Sequence, residues 1–431
     1  MKHVVIIGGG FAGLYATRHL RHVEDIRITL LDRHNYHLFQ PLLYQVATAA
    51  LNPSDIAAPI RSIVRKQKNV EVLLADVTAI DVANRRVQLR DAELTYDYLI
   101  VATGATHSYF GHPEWERDAP GLKSIDDALE IRRRVLVAFE AAERETDPAA
   151  QAALLTFVVI GAGPTGVEMA GALSEIARQT MGRDFRRIDP SRARVLLIEG
   201  KDRVLPTYPP ELSASAEAQL RRLGVEVQTK AIVTNVTDAA VTVGETTIAT
   251  RTVIWGAGVQ ASPLAQSLGA PLDRAGRVLV TPTLTIPDHP EVFVIGDLAA
   301  VAQENGSFVP GVAPAAIQEG THTAANIERA VGGQPLRPFH YRDKGSLATI
   351  GRAAGVADFG KLKLSGFVAW FAWLVIHIFF LIGFRNRLLV VTQWAWAYLT
   401  YERGARLITA DRGKPTEGPP AAGHGPERLL P

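Results

Sequence analysis

Short apolar runs that break on glycine recur along the chain. Residues 4–13 read VVIIGGGFAG and residues 157–166 read FVVIGAGPTG, so a β-branched run flows twice into G-x-G-x-x-G. Such a run bounded by glycine predicts a buried strand, and the stretch after it predicts a helix. The first glycines of the two runs, Gly8 and Gly161, stand 153 residues apart. At nearly the same offset, LIVATG at 99–104 is answered by VIWGAG at 253–258. Two matched pairs in the same order predict two copies of one supersecondary plan.

Each copy then reaches a second strand that ends in an acid: RITLLD at Asp32 and RVLLIE at Glu199. Strand, glycine turn, helix, strand and acid together form the dinucleotide-binding arrangement. The first glycine (Gly8, Gly161) makes the turn, the second (Gly10, Gly163) lets backbone approach a pyrophosphate, and the third (Gly13, Gly166) packs helix against strand. Phe11 and Ala12 in one copy, and Pro164 and Thr165 in the other, open a helix whose N–H groups and dipole face the phosphates. Asp32, followed by Arg33, and Glu199 are expected to accept ribose hydroxyls. A 2′-phosphate would meet Glu199 as like charge, so the second copy is expected to prefer NADH to NADPH. From Gly8 to Asp32 is 24 residues, but from Gly161 to Glu199 is 38, which requires a longer helix or an insertion around 181–190. A third run, VFVIGDLA at 292–299, leads into Gly296 and Asp297. It reads as a strand ending in a turn, or as the place where a flavin chain passes Gly296 and bonds Asp297. A flavin with a nicotinamide is the cofactor pair that makes chemical sense across two such folds.

Composition narrows the chemistry. The 431 residues suit about two to four domains. Lys plus Arg is 46 against 44 for Asp plus Glu, which gives no field for gripping nucleic acid, and no nucleic-acid partner is expected. The chain has no cysteine, which excludes thiolate nucleophiles, disulfide redox pairs and cysteine-held zinc or iron–sulfur centres. No metal site is expected, and any redox chemistry must sit on an organic cofactor. The opening apolar run, Val4 to Ile7, meets glycine too early for a signal peptide, so folding in the cytoplasm is expected.

Apolar and basic residues coincide near the C-terminus. Gly366 to Phe384 is a nineteen-residue run whose one ionisable group is His377, flanked by Lys361 and Lys363 before it and Arg385 and Arg387 after it. Leu388, Val391, Trp394, Tyr398 and Tyr401 follow along one helical stripe, and four of the six tryptophans fall in this region. Between residues 341 and 412 there are ten basic against four acidic side chains, an excess of six that leaves the rest of the chain net acidic. A buried hairpin or dimer interface, a single membrane span and an interfacial anchor all fit the apolar content. The coincidence of tryptophan, cation and grease favours the anchor, lying on a bilayer surface through residues 366–406. Residues 411–431, rich in Pro and Gly, are expected to be a disordered tail.

The glycine repeats together with ADVTAID at 75–81, ATG at 102–104 and GD at 296–297 resemble the two-dinucleotide-domain flavoproteins, in which an NADH domain is inserted into an FAD domain. That resemblance implies FAD contacts at Val77, Ala102, Thr103, Gly104, Gly296 and Asp297 besides the first glycine copy, and NADH contacts at Gly256 and Ala257 besides the second. NYHLFQPLLYQVATAAL at 35–51, DKGSLATIGR at 343–352 and the C-terminal stretch narrow it further. With them the chain resembles the type II NADH:quinone oxidoreductases, or alternative NADH dehydrogenases, from about residue 1 to 410. The related disulfide reductases and sulfide:quinone oxidoreductases need cysteines that this chain lacks.

The resemblance implies an α/β fold with two Rossmann-like domains and a C-terminal amphipathic helical membrane region. The expected parts are an FAD-binding domain at 1–115 and 276–335, a helical connection at 116–152, an NADH-binding domain at 153–275 and a membrane-association region at 336–410. It implies hydride passing from NADH to FAD and two electrons to a membrane quinone, without proton pumping, on the cytoplasmic face of the inner (plasma) membrane. A homodimer is left open. The family's quinone motif, A-Q-x-A-x-Q, appears as APAAIQ at 313–318, with Pro314 where the first glutamine would stand. Ala315, Ala316 and Gln318 are the quinone residues it implies. Glu168, after the second glycine set, is a candidate proton relay or a carboxylate favoured by the helix start. Lys344 is a candidate for stabilising reduced flavin or for a surface ion pair. Two other functions fit the cofactors: a soluble reductase of a ferredoxin-like partner, and an NADH-responsive redox sensor.

Overall fold

The computed structural model describes residues 1–182, 184–382, 384–400 and 404–408. The expected tail at 411–431 and Tyr401 lie outside them. The first apolar runs form β1 (Lys2–Ile7), β2 (Ile26–Asp32), β3 (Val70–Leu74) and β4 (Tyr98–Val101), with α1 (Phe11–His19) crossing from β1 to β2. They lie in the parallel order β3-β2-β1-β4, with Val4 opposite both Ile28 and Tyr98. Val4, Val5 and Ile6 are wholly buried, as a strand covered on both faces requires.

After α2 (Leu43–Ala47), which lies between β2 and β3 in sequence, and α3 (Ile125–Arg144), which follows β4, the same plan is built again. Here β5 (Thr156–Ile160), β6 (Arg194–Ile198), β7 (Val225–Gln228) and β8 (Thr252–Trp255) lie parallel in the order β7-β6-β5-β8. The helix after its glycines is α4 (Pro164–Glu175). The extra residues of the second copy go into a π-turn at Ile176–Thr180 and a loop ending in a short 3-10 turn at Pro190–Arg192. The chain then returns to the first sheet. There β9 (Thr285–Ile286) forms an antiparallel edge, β10 (His289–Val294) pairs parallel with β4, and α5 (Ala313–Val331) packs across α1. A Cβ on Gly320 of α5 would lie 2.2 Å from the Ala12 carbonyl oxygen, which shows how closely the two helices approach.

The C-terminal part is an antiparallel sheet, β11 (Ser346–Gly351), β12 (Ala354–Phe359) and β13 (Leu362–Ser365), followed by α6 (Gly366–Phe380) and α7 (Phe384–Thr400). The nineteen-residue apolar run is thus cut in two. Among the described residues no helix is long and apolar enough to cross a membrane. Leu381 leaves the helix in extended conformation, and Arg387 donates to the carbonyls of Leu381 and Phe379, both at 2.7 Å, closing the end of α6. A Cβ on Gly171 of α4 would lie 1.6 Å from the Ile350 carbonyl oxygen, so the second glycine fold is pressed directly onto β11.

Candidate functional site

Each glycine of the two motifs has a separate steric task. Gly8 and Gly161 have φ of +103° and +94°, and a Cβ would fall 2.3 Å from the Ala102 oxygen in one copy and 2.6 Å from the Ala257 nitrogen in the other. Gly13 and Gly166 bring helix onto turn, since their Cβ atoms would lie 1.9 and 1.8 Å from the Gly8 and Gly161 oxygens. At Gly10 and Gly163 a Cβ would meet nothing within 4 Å, and both backbones are extended. These two positions open onto space beside helix N-termini that no side chain caps.

The two acids repeat the same local bonds. Asp32 accepts the Gly9 N–H at 2.6 Å and the His34 N–H at 2.7 Å. Glu199 accepts the Ala162 N–H at 2.7 Å and the Lys201 N–H at 2.8 Å. Each carboxylate is thereby held against its glycine turn, at the crevice where strand order reverses.

Further residues close over the first turn. The Ala102 N–H donates to Ile7 at 2.8 Å, and the neighbouring Thr103 hydroxyl is buried without a partner. Gly104 and Gly296 have φ of +70° and +72°. Asp297 lies 3.7 Å from the Lys123 ammonium. Ala315 and Ala316 are buried in the first turn of α5. Arg33 is exposed and Val77 half-buried, at the start of a strand paired with Leu89.

Two residues here escaped the sequence reading. Glu319, 2 % exposed, accepts the Gly296 N–H at 2.5 Å. Burial pushes its carboxyl up to about 8, with the Gly296 N–H opposing and Asp297 assisting. His37 is equally buried, its Nδ1 lying 2.9 Å from the Gly9 oxygen while Nε2 has no partner. Burial lowers its pKa, so the ring stays neutral. Glu319 falls on the apolar stripe of its helix with Ala315, Ala316 and Thr323, a signal that helical periodicity could have raised. Open glycine faces, uncapped helix ends and unpartnered buried atoms at Thr103 and His37 together fit a dinucleotide held in this crevice.

Beyond the second glycine turn, Glu168 sits one turn into α4 on the wall of a cavity of about 130 Å³. Tyr44 and Gln45 of α2, Thr349 of β11 and Trp370 and Trp373 of α6 also line it. Burial pushes Glu168 up to about 8, against the opposing pull of the Thr349 backbone and the Trp373 indole. That indole N–H faces the carboxylate without reaching good hydrogen-bond geometry. The wall is braced by Trp394 of α7, whose N–H donates to Gln45 at 2.7 Å, and by Gln45, which donates to the Tyr44 hydroxyl at 2.8 Å. His377 stacks on Trp373 with centroids 4.2 Å apart, and burial lowers it to about 4, leaving a neutral imidazole inside the apolar helix.

Gln318 and Lys344 are placed differently from these residues. The Gln318 amide donates to the carbonyls of Pro314 (3.1 Å) and Arg342 (3.0 Å) and accepts the Arg342 N–H at 3.0 Å. It clamps the segment before β11 and does not line the Glu168 cavity. Lys344 is exposed and makes no ion pair among the described residues.

Two parallel dinucleotide folds, one inserted in the other, without a cysteine on the chain, define a flavoprotein oxidoreductase that works without a disulfide. Family profiles agree: the one described as pyridine nucleotide-disulphide oxidoreductase matches residues 2–320, and the one described as NDH2 C-terminal domain matches 344–401. A type II NADH:quinone oxidoreductase of Mycobacterium tuberculosis is 47% identical over 422 residues, covering 94% of this chain and 90% of that protein. One from Staphylococcus haemolyticus is 30% identical, covering 82% and 89%. Among solved structures, NDH2 from Plasmodium falciparum in complex with NADH superposes with a TM-score of 0.86 at 20% identity, covering 95% of this chain and all of that one, a likeness of fold. The chain belongs to the type II NADH:quinone oxidoreductase family. It is an FAD-dependent enzyme that oxidises NADH and reduces a quinone.

Proposed function

We propose that the first glycine fold holds FAD for the life of the protein, that the second binds and releases NADH, and that Glu168 supplies the proton that accompanies electrons to the quinone. Bound FAD supplies the two-electron acceptor between the two substrates. The rest of the work belongs to side chains. Gly10, Thr103, His37 and Asp297 hold and enclose the resident cofactor, with Asp32 on its ribose. Gly163 admits the NADH pyrophosphate and Glu199 accepts its ribose hydroxyls. Ala315 and Ala316 keep the start of α5 narrow beside Gly296. Gln318 serves the site by fixing the segment that leads into β11.

One observation carries the role of Glu168. It projects from the helix that begins at the NADH turn into the cavity walled by Trp370 and Trp373, and its carboxyl is held near neutrality. A group with a pKa of about 8 is protonated at neutral pH and can give up its proton to a reduced quinone oxygen. Glu168→Gln should leave flavin reduction by NADH unchanged and slow quinone turnover about 100-fold. Wild-type quinone turnover should also fall as pH rises through about 8, and the variant should lose that inflection. Separate stopped-flow and steady-state assays read the two halves, and unchanged quinone turnover would overturn the relay.

The quinone reaches this cavity from a membrane surface, with α6 and α7 resting on the cytoplasmic face where NADH is available. Phe367, Phe371, Val375 and Phe379 support that placement: they repeat every fourth residue along α6 and are all about half exposed or more.

A further inference from the structure

At its C-terminal end the apolar stripe of α6 runs into a cleft of about 550 Å³, bounded on the other side by the end of α1. Phe379, the last residue of the stripe, is also part of the cleft wall. Opposite it stand Arg18, His19, Arg21 and His22, all exposed, and Arg387 enters from α7. Among the described residues no acidic side chain lines the cleft; Glu24 and Asp25 follow in the next loop but do not reach its wall.

The helix dipole accounts for basic residues at the end of α1. It does not account for Arg387, which comes from another element. The Arg387 guanidinium is fixed by its bonds to the carbonyls of Phe379 and Leu381, which leaves its other N–H groups for a ligand. Arg18 lies over the Tyr15 ring at 5.7 Å, and Arg21 donates to the His22 imidazole at 2.6 Å, so these side chains are also oriented. Partial desolvation lowers the His19 pKa, and the neighbouring Arg18 and Arg21 lower it further. A helix lying in a membrane interface sinks its apolar face to the boundary of headgroups and acyl chains. With α6 in that position, the cleft beside Phe379 sits at headgroup depth.

We propose that this cleft is a binding site for the headgroup of an anionic phospholipid, with Arg18, Arg21 and Arg387 on the phosphodiester and Phe379 against the start of the acyl chains. The site rests on the membrane-surface reading of α6 and adds lipid selectivity to it. It fixes one lipid where α6 turns into α7, the turn from which both helices run back to the Glu168 cavity.

The test uses the full-length, FAD-loaded protein and co-sedimentation with vesicles of phosphatidylcholine alone or mixed with phosphatidylglycerol. Wild type should bind the mixed vesicles at least about 25-fold more tightly, the worth of two basic side chains at an anionic surface. The variant Arg18→Gln/Arg21→Gln should lose about fivefold per arginine on mixed vesicles, the worth of one basic side chain at an anionic surface, and nothing on phosphatidylcholine. Its flavin should still bleach with NADH, which shows that it is folded. Arg251→Gln/Arg274→Gln removes the same charge from exposed arginines outside the cleft and should bind as wild type does. The proposal is overturned if the cleft variant binds mixed vesicles normally, or if the control loses as much, which would mean diffuse attraction. Release of wild type by excess inorganic phosphate at matched ionic strength would also overturn it, by making the cleft a free-phosphate site. If wild type binds neither vesicle, the membrane-surface reading itself fails.

Discussion

The two glycine folds share strand order, turn geometry and the bonds of their terminal acids, yet they differ in what lies over them. In the first, Phe11 is half-buried and Ala12 buried, α5 presses on α1 through Gly320, and His37 and Glu319 close in from other segments. In the second, the matching Pro164 and Thr165 are exposed, and the helix is packed from behind, through Gly171 on β11. The same chain plan is thus covered once and left open once. A covered crevice suits a group that stays; an open one suits a substrate that leaves in every turnover. The two folds differ in the elements packed around the repeat more than in the repeat itself.

The largest effect should come from the middle glycines, where the two copies are separable. Gly10→Val and Gly163→Val set their Cβ atoms where none of the surrounding protein lies within 4 Å and the backbone is extended, so neither should disturb the fold. Gly10→Val should yield a folded but colourless protein without activity. Gly163→Val should stay yellow, with KM for NADH raised at least about tenfold, the loss of roughly 1.4 kcal/mol of pyrophosphate contact. Absorbance at the flavin band and a circular dichroism spectrum check both. A colourless Gly163→Val would break the division between resident and exchanging sites.

A smaller effect is expected at the paired acids. Glu199→Gln keeps an acceptor for the Ala162 N–H but removes the negative charge that a 2′-phosphate would meet. The ratio of kcat/KM for NADPH over NADH should rise by about tenfold, on the scale of one charged hydrogen bond. Asp32→Gln should leave that ratio alone and instead speed loss of flavin. A shift in NADPH preference from the Asp32 variant would reverse the assignment of the two folds.

Glu319 sharpens the comparison through pH, since it lies on the covered side only. Its carboxyl is raised from the ordinary range to about 8, so folding favours the protonated form. The stabilisation is whole below the unfolded pKa near 4.5 and is lost as pH climbs towards 8, because the unfolded chain ionises first. Glu319→Gln keeps an acceptor for the Gly296 N–H and carries no charge. Its Tm should match wild type near pH 5 and exceed it by about a few degrees above pH 8. Glu168 is raised in the same sense and adds to the wild-type decline, so Glu168→Gln/Glu319→Gln should flatten the profile further. Parallel Tm curves for wild type and variant would mean that Glu319 titrates as an ordinary surface acid.

Much of this contrast was visible as pattern and little of it as packing. Strands that end on Gly8 and Gly161, and acids at Asp32 and Glu199, follow from period and glycine because those features act within a few residues. Glu319 and His37 were missed because their meaning lies in contacts with Gly296 and Gly9, made across 23 and 28 residues. The apolar run at 366–384 read as one candidate span. Its break depends on Arg387 folding back on the α6 carbonyls, which hydropathy does not register. Gln318 stood out by its motif, yet its amide is turned to Arg342 because the segment before β11 needs an anchor. Local chemistry was legible, and the elements covering it were not.

The smallest expected effect is at Thr103, where it isolates the covered fold from its cofactor. The hydroxyl is buried without a protein partner, at the turn after β4 where the first crevice opens. A buried polar group left unpaired costs about 1–3 kcal/mol, and replacing it by an apolar group of the same shape removes that cost. Thr103→Val should therefore leave the FAD-free protein as stable as wild type or slightly more so. If the hydroxyl bonds the cofactor, as proposed, the same change in the loaded protein should remove that bond, worth about 1 kcal/mol, and speed flavin release by about fivefold. Thermal melts of the FAD-free form and flavin fluorescence after dilution of the loaded form measure the two halves. Equal destabilisation of both forms would show that the hydroxyl serves the fold, and faster release from an otherwise unchanged protein would place it on the group that the covered crevice retains.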